Sequence, residues 1–212
     1  MCMCIFKTRH YQIPLGIDFS VPLRMLCLIM EYLTSGITAN FDMYLVPDAI
    51  AEASKDCGFR TVIAGALNDF TQSPKQLSDW YEKYNHDHEL ISFQLGFHAE
   101  YTTSEKLLKE VALLAQNYQA PVYTHNSETI REVEECKGRT GMTPTAYLDS
   151  LGMFEYGGGG YHGVYLKEED MDIFEKHKLS VVTNPASKYA VGVMPVRPLH
   201  SSTSLMVSEL CV

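Results

Sequence analysis

The chain has 212 residues, 46% of them hydrophobic and 20% charged, the balance of a globular protein with one sizeable core. A formal net charge of −9 with scattered Lys and Arg argues against a nucleic-acid backbone or an anionic membrane surface as partner. The six cysteines form no CxxC pair, and the apolar run MLCLIM (25–30) is far too short to span a bilayer, so free thiols in the cytoplasm are expected.

In chain order, ITANFDMY (37–44) reads as a strand. The helix PDAIAEASKDC follows it, with Pro47 in its first turn and Gly58 as its stop. FRTVIAG (59–65) is β-branched and apolar, hence a second strand, and SPKQLSDWYEKY (73–84) a second helix. LISFQLGFH (90–98) is the third strand, ahead of KLLKEVALLAQNY, for which Thr102 and Glu105 have capping-box spacing. APVYTH (120–125) is the fourth strand, and Thr129 with Glu132 repeats that spacing before REVEECK. Thr143-Pro144 opens a short helix ending near Gly152; GGYHGVYL and LSVVTNP are further strands around the helix KEEDMDIFEKHK.

This alternation predicts βαβ units and a parallel sheet, either doubly wound or closed as a barrel. Two details favour the barrel. No GxGxxG follows the first strand, and Asp42, His98, His125, His162 and Asn184 recur where strands end. In a barrel those ends share one mouth.

The stretch VYTHNSE places His125 at a strand end and Glu128 three residues on. Each alone has an ordinary reading, as a hydrogen-bonded histidine or a helix-starting acid. Together they suit metal-assisted hydrolysis, with an imidazole ligand and a carboxylate that shuttles a proton. His162 lies one βα unit later and His98 one earlier, so all three rings are expected near one opening. His86 and His88 also have HxH spacing, but in a polar context before a strand rather than after one. Trp80, Tyr81 and Tyr84 read as a packing stripe, and YGGGGY lacks the Lys-Ser/Thr of a phosphate loop, leaving a flexible entry to the His162 strand.

Taken in order, SGITANFDMY, LGFHAEYTTS, PVYTHNSET, GYHGVYL and VVTNPAS resemble the metal-dependent amidohydrolase superfamily. The resemblance runs from about Met25 to about Val196, and is nearest to the S-adenosylhomocysteine/methylthioadenosine deaminase and chlorohydrolase branch. It implies His125 as a metal ligand, Glu128 as the proton carrier, His162 beside the reacting water and His98 against the substrate. It further implies one zinc or iron ion and hydrolytic deamination of an adenosine-type compound, a small nucleoside-like substrate. The family's HxH pair on the first barrel strand and its last-strand Asp have no recognisable match, and Thr183 and Lys188 stand where relatives more often carry His and Asn. The expectation is an incomplete (β/α)8 TIM-type barrel lacking its first and last strands, at residues 25–197 between poorly specified segments 1–24 and 198–212. The competing expectation is an inactive truncated remnant or a nucleoside-binding module, prone to self-association through open sheet edges.

Overall fold

The structure, a computed structural model, describes residues 21–183 and 205–207. Helix α1 (Val21–Thr34) precedes strand β1 (Ala39–Met43); then follow α2 (Pro47–Cys57), β2 (Arg60–Ala64), α3 (Pro74–Asp87) and β3 (Ile91–Ala99). After a 3-10 turn (Glu100–Thr102) come α4 (Glu105–Tyr118), β4 (Val122–Asn126), α5 (Ile130–Thr140), α6 (Pro144–Ser150) and β5 (Gly158–His162). The described part closes with α7 (Glu168–His177), β6 (Ser180–Thr183) and β7 (Leu205–Val207).

All pairings are parallel and the sheet order is the chain order, β1 to β7. The sheet is strongly curled, and ring contacts prove it. Phe41 on β1 lies 5.5 Å from Tyr161 on β5 and 4.6 Å from Tyr123 on β4. A flat sheet would hold β1 and β5 roughly 19 Å apart at the usual strand spacing. The chain is thus an incomplete TIM-type barrel, as the family resemblance implies, with Phe41, Met43, Ala64, Tyr123, Tyr161 and Val182 filling its interior. The larger core lies between sheet and helices, where Ile63, Phe93, Leu95, Phe97, Val122 and Val181 meet the apolar faces of α3, α4 and α7.

Local signals account for most boundaries. Pro47 opens α2, and Gly58 ends it in the left-handed region (φ 65°), its N–H bonding the Lys55 carbonyl. Thr129 caps α5 by accepting from the Glu132 N–H at 3.2 Å, and Thr143 caps α6 by accepting from Ala146 at 3.1 Å.

Three expectations need correction. Thr102 does not cap α4: Ser104 holds that place, and the Thr102 hydroxyl donates to the Ala99 carbonyl inside the 3-10 turn. Strand β7 lies in the stretch read as a tail, three residues being too few for a period to show. Finally, Gly158, Gly159 and Gly160 are no flexible entry. They are buried in β5, where a Cβ would meet the Val122 carbonyl oxygen at 1.9 Å, the Ser180 carbonyl oxygen at 2.1 Å and Asn126 Cβ at 2.8 Å. Glycine is there for space. Trp80, Tyr81 and Tyr84 do form a packing stripe, against Phe93 and Tyr118.

Candidate active site

Parallel strands all end on the same side, so the C-terminal residues of β3, β4 and β5 share one mouth. His98, His125 and His162 stand there. Alternation turns Tyr123 and His125 to the barrel interior and Val122 to the helices. The His125 ring lies 4.9 Å from that of His98, 5.4 Å from Tyr161 and 5.2 Å from His162.

His162 reaches this cluster only by leaving the regular strand. It pairs in register with Asn126, whose amide donates to Thr145 on α6 at 2.9 Å, so plain alternation would aim both at the helix layer. Its φ of 72° lies in the left-handed region, and the ring instead stacks on His125. Strained backbone of this kind costs about 1–3 kcal/mol and persists where neighbours hold it. The neighbours are explicit: Gly163 N–H donates to the Asn126 carbonyl at 3.1 Å, and Tyr165 N–H to the Ser127 carbonyl at 2.9 Å. Glu128 completes the group, with Oε1 3.5 Å from His162 Nε2.

The electrostatics follow from burial. Desolvation, reinforced by the neighbouring rings of His162 and His98, lowers His125 to about 3, so it is neutral at pH 7. His98 is lowered for the same first reason, and burial raises the Glu128 carboxyl. His125 Nδ1 lies 2.9 Å from the His98 carbonyl, which accepts its proton. The lone pair therefore sits on Nε2, the tautomer of a metal-bound histidine whose other nitrogen is held by backbone. His98 Nδ1 meets the Thr102 hydroxyl at 2.9 Å.

The remaining candidates separate clearly. Asp42 pairs in register with Ile63, which faces the helix-side core, so it points away from the interior; burial pushes its carboxyl up to about 6. His86 and His88 belong to the end of α3 and its cap, before β3 and at the opposite end of the barrel from His98. Asn184 lies outside the described residues. Glu132 was legible only as a capping residue; its carboxylate in fact accepts from the Ser127 and Glu128 N–H groups at 2.8 and 2.9 Å. A separate cavity of about 370 Å³ lies among Asp69, Glu100, Glu105, Arg139 and Tyr147 and holds none of the three histidines.

A metal tests this geometry. Among the described residues no three His, Cys, Asp or Glu side chains stand together as an ion-holding set. The three rings lie face against face or tilted, with 30° between His125 and His162, instead of converging their nitrogens on one point. They offer two imidazoles with the lone pair on Nε2, His125 and His98, whose Nδ1 donates to the Thr102 hydroxyl, short of the four donors a zinc site takes. The described residues alone do not fit the ion.

A curled parallel barrel whose histidines and acid gather at the strand ends defines a (β/α) barrel protein with its candidate site at the C-terminal mouth. The comparisons narrow this. The amidohydrolase family model matches residues 24–208, and the chain belongs to that family. It is 38% identical over 175 residues to the 5'-deoxyadenosine deaminase of Methanopyrus kandleri, covering 79% of this chain and 41% of that one. It is 35% identical over 179 residues to the 5-methylthioadenosine/S-adenosylhomocysteine deaminase of Thermococcus onnurineus, covering 80% and 42%. The chain thus spans about two fifths of the length of the curated relatives it matches. Among solved structures, a zinc-bound adenosine deaminase from Xanthomonas campestris superposes with a TM-score of 0.79 at 25% identity, over 91% of this chain and 47% of that one. Zinc-bound atrazine chlorohydrolase from Arthrobacter aurescens shares the fold at 18% identity, with a TM-score of 0.73 over 89% and 48%.

Proposed function

We propose that this chain carries the proton-transferring and substrate-facing part of a hydrolytic deaminase acting on an adenosine-type compound. The observation that supports it most is the convergence of His98, His125, His162 and Glu128 on one mouth. Glu128, raised by burial and 3.5 Å from a buried imidazole, holds and delivers the proton that an amino leaving group needs. His162 orients the attacking water from across that contact. His98, edge-on to Tyr101 with ring centroids 6.2 Å apart, contacts the substrate. His125 is the side chain suited to donate to a zinc or iron ion, whose other donors are not among the described residues.

Ammonia release from 5'-deoxyadenosine, methylthioadenosine, S-adenosylhomocysteine and adenosine, with zinc or ferrous iron added, tests this reading. Turnover lost with Glu128→Gln supports it. That no three-donor cluster stands among the described residues favours a second reading, a nucleoside-binding or inactive remnant that self-associates through the sheet ends β1 and β7. That reading predicts no turnover, and nucleoside binding by calorimetry that chelator leaves unchanged.

A further inference from the structure

Besides Glu128 and Asp42, three carboxylates among the described residues are buried in the segments that follow β3, β4 and β5. Glu100 is engaged by Arg139 at 2.8 Å, and Asp170 by the Thr143 hydroxyl at 2.5 Å and the Lys167 N–H at 2.7 Å. These are packing pairs. Glu132 differs, because both its oxygens serve the turn that carries Glu128.

Glu132 is 4% exposed and stands in the first turn of α5. In an ordinary capping box the acid reaches back to the N–H of the cap residue, here Thr129. Beside that reach to the Thr129 amide, Oε1 accepts from Ser127 at 2.8 Å and Oε2 from Glu128 at 2.9 Å, both amides lying before the cap. The start of the helix is already served by the Thr129 hydroxyl, so this double reach is not needed for the cap. What it holds is a tight turn. Ser127 is fully buried with φ 52°, in the left-handed region. The Ser127 carbonyl accepts from Tyr165, and the Asn126 carbonyl from Gly163, which hold the loop behind His162. One carboxylate thus fixes the turn that presents both partners of the 3.5 Å contact between Glu128 and His162.

We propose that Glu132 is a positioning residue: its two-oxygen clamp on the Ser127 and Glu128 amides aims the Glu128 carboxylate at His162. The proposal deepens the deaminase reading and rests on it for its kinetic consequence. Misplacing a reacting group by about 1 Å costs on the order of a hundredfold in rate. Glu132→Gln keeps the size but turns an NH2 towards one of the two amides, so the clamp loses one arm.

The test uses the full chain with the metal that supports turnover. For Glu132→Gln, kcat per folded molecule is expected to fall about 10- to 100-fold while KM stays within about threefold, because the substrate contact of His98 is untouched. The double variant Glu128→Gln/Glu132→Gln is expected to lose no more than Glu128→Gln alone, the non-additivity of residues acting through one group. A merely structural Glu132 lowers the folded fraction and leaves kcat per folded molecule unchanged; that result, or losses that multiply, overturns the proposal. If the Gln variant does not fold, Glu132→Asp, one methylene too short to reach both amides, takes its place. If wild type releases no ammonia, the deaminase reading fails and the clamp is judged by amide exchange. Slow exchange at Ser127 and Glu128 that speeds at least about tenfold in the variant upholds the clamp, and equal exchange refutes it.

Discussion

Gly159→Ala probes whether the glycines of β5 are there for space. Gly159 has no left-handed backbone to protect, so the whole cost of a methyl group is contact. Its Cβ would stand 2.1 Å from the Ser180 carbonyl oxygen across the β5–β6 pairing, about 1.3 Å short of the 3.4 Å at which ordinary contact begins. Neither partner is a flexible side chain. Relief requires strand β6 to move away from β5 by a distance that breaks the hydrogen bonds between them. Losing two or three such bonds at about 1 kcal/mol each, plus overpacking of about 1–3 kcal/mol, gives a destabilisation of about 3–5 kcal/mol. With a urea dependence of about 2 kcal/mol per M, the unfolding midpoint drops by about 2 M. Gly138→Ala is the control: it is exposed on α5, nothing lies within 4 Å of its Cβ, and the change should stabilise by about 0.5–1 kcal/mol. A Gly159→Ala midpoint within about 0.3 M of wild type refutes the close approach of β5 and β6.

Two further outcomes follow from buried polar groups. Burial raises the Asp42 carboxyl from 3.8 to about 6, so the folded state binds its proton more tightly and stability falls as pH rises between those values. Asp42→Asn should therefore raise the unfolding free energy from urea titration at pH 7.5, by an amount on the order of 1–3 kcal/mol, and leave it unchanged at pH 3; an equal effect at both pH values contradicts this. Thr143 both caps α6 and donates to fully buried Asp170 at 2.5 Å. Thr143→Ala removes both bonds and should cost about 2–4 kcal/mol in calorimetric or urea unfolding, with Thr143→Ser near wild type. Equal Ala and Ser variants would show that the hydroxyl is idle.

What was legible in the sequence follows the range of the forces involved. Pro47, Gly58, Thr129 and Thr143 act within a few residues, and their helices begin or end where local chemistry puts them. The shared mouth of His98, His125 and His162 was legible because parallel pairing sends every strand end to one side. Departures arise where a partner outside the element decides. Thr102 has the spacing of a cap, but its hydroxyl is taken by His98 and the Ala99 carbonyl. Gly158 to Gly160 are set by Val122, Ser180 and Asn126 on adjoining strands, which four consecutive glycines cannot announce. The left-handed turn at His162, without which its ring would face α6, leaves only a weak mark in residue type: histidine is enriched there among non-glycine residues, yet most histidines lie elsewhere. Glu132 carries a visible capping signal; its reach to Ser127 and Glu128 depends on how that turn folds back.

Whether Glu128 moves a proton at an adenosine-type ring is decided by ammonia release from wild type and Glu128→Gln at equal folded concentration, with zinc or ferrous iron present. Wild-type turnover is expected, reduced at least about 100-fold in the variant, with nucleoside affinity within about threefold. A monodisperse, folded wild type that releases no ammonia, or a variant that works as fast, would rule that role out.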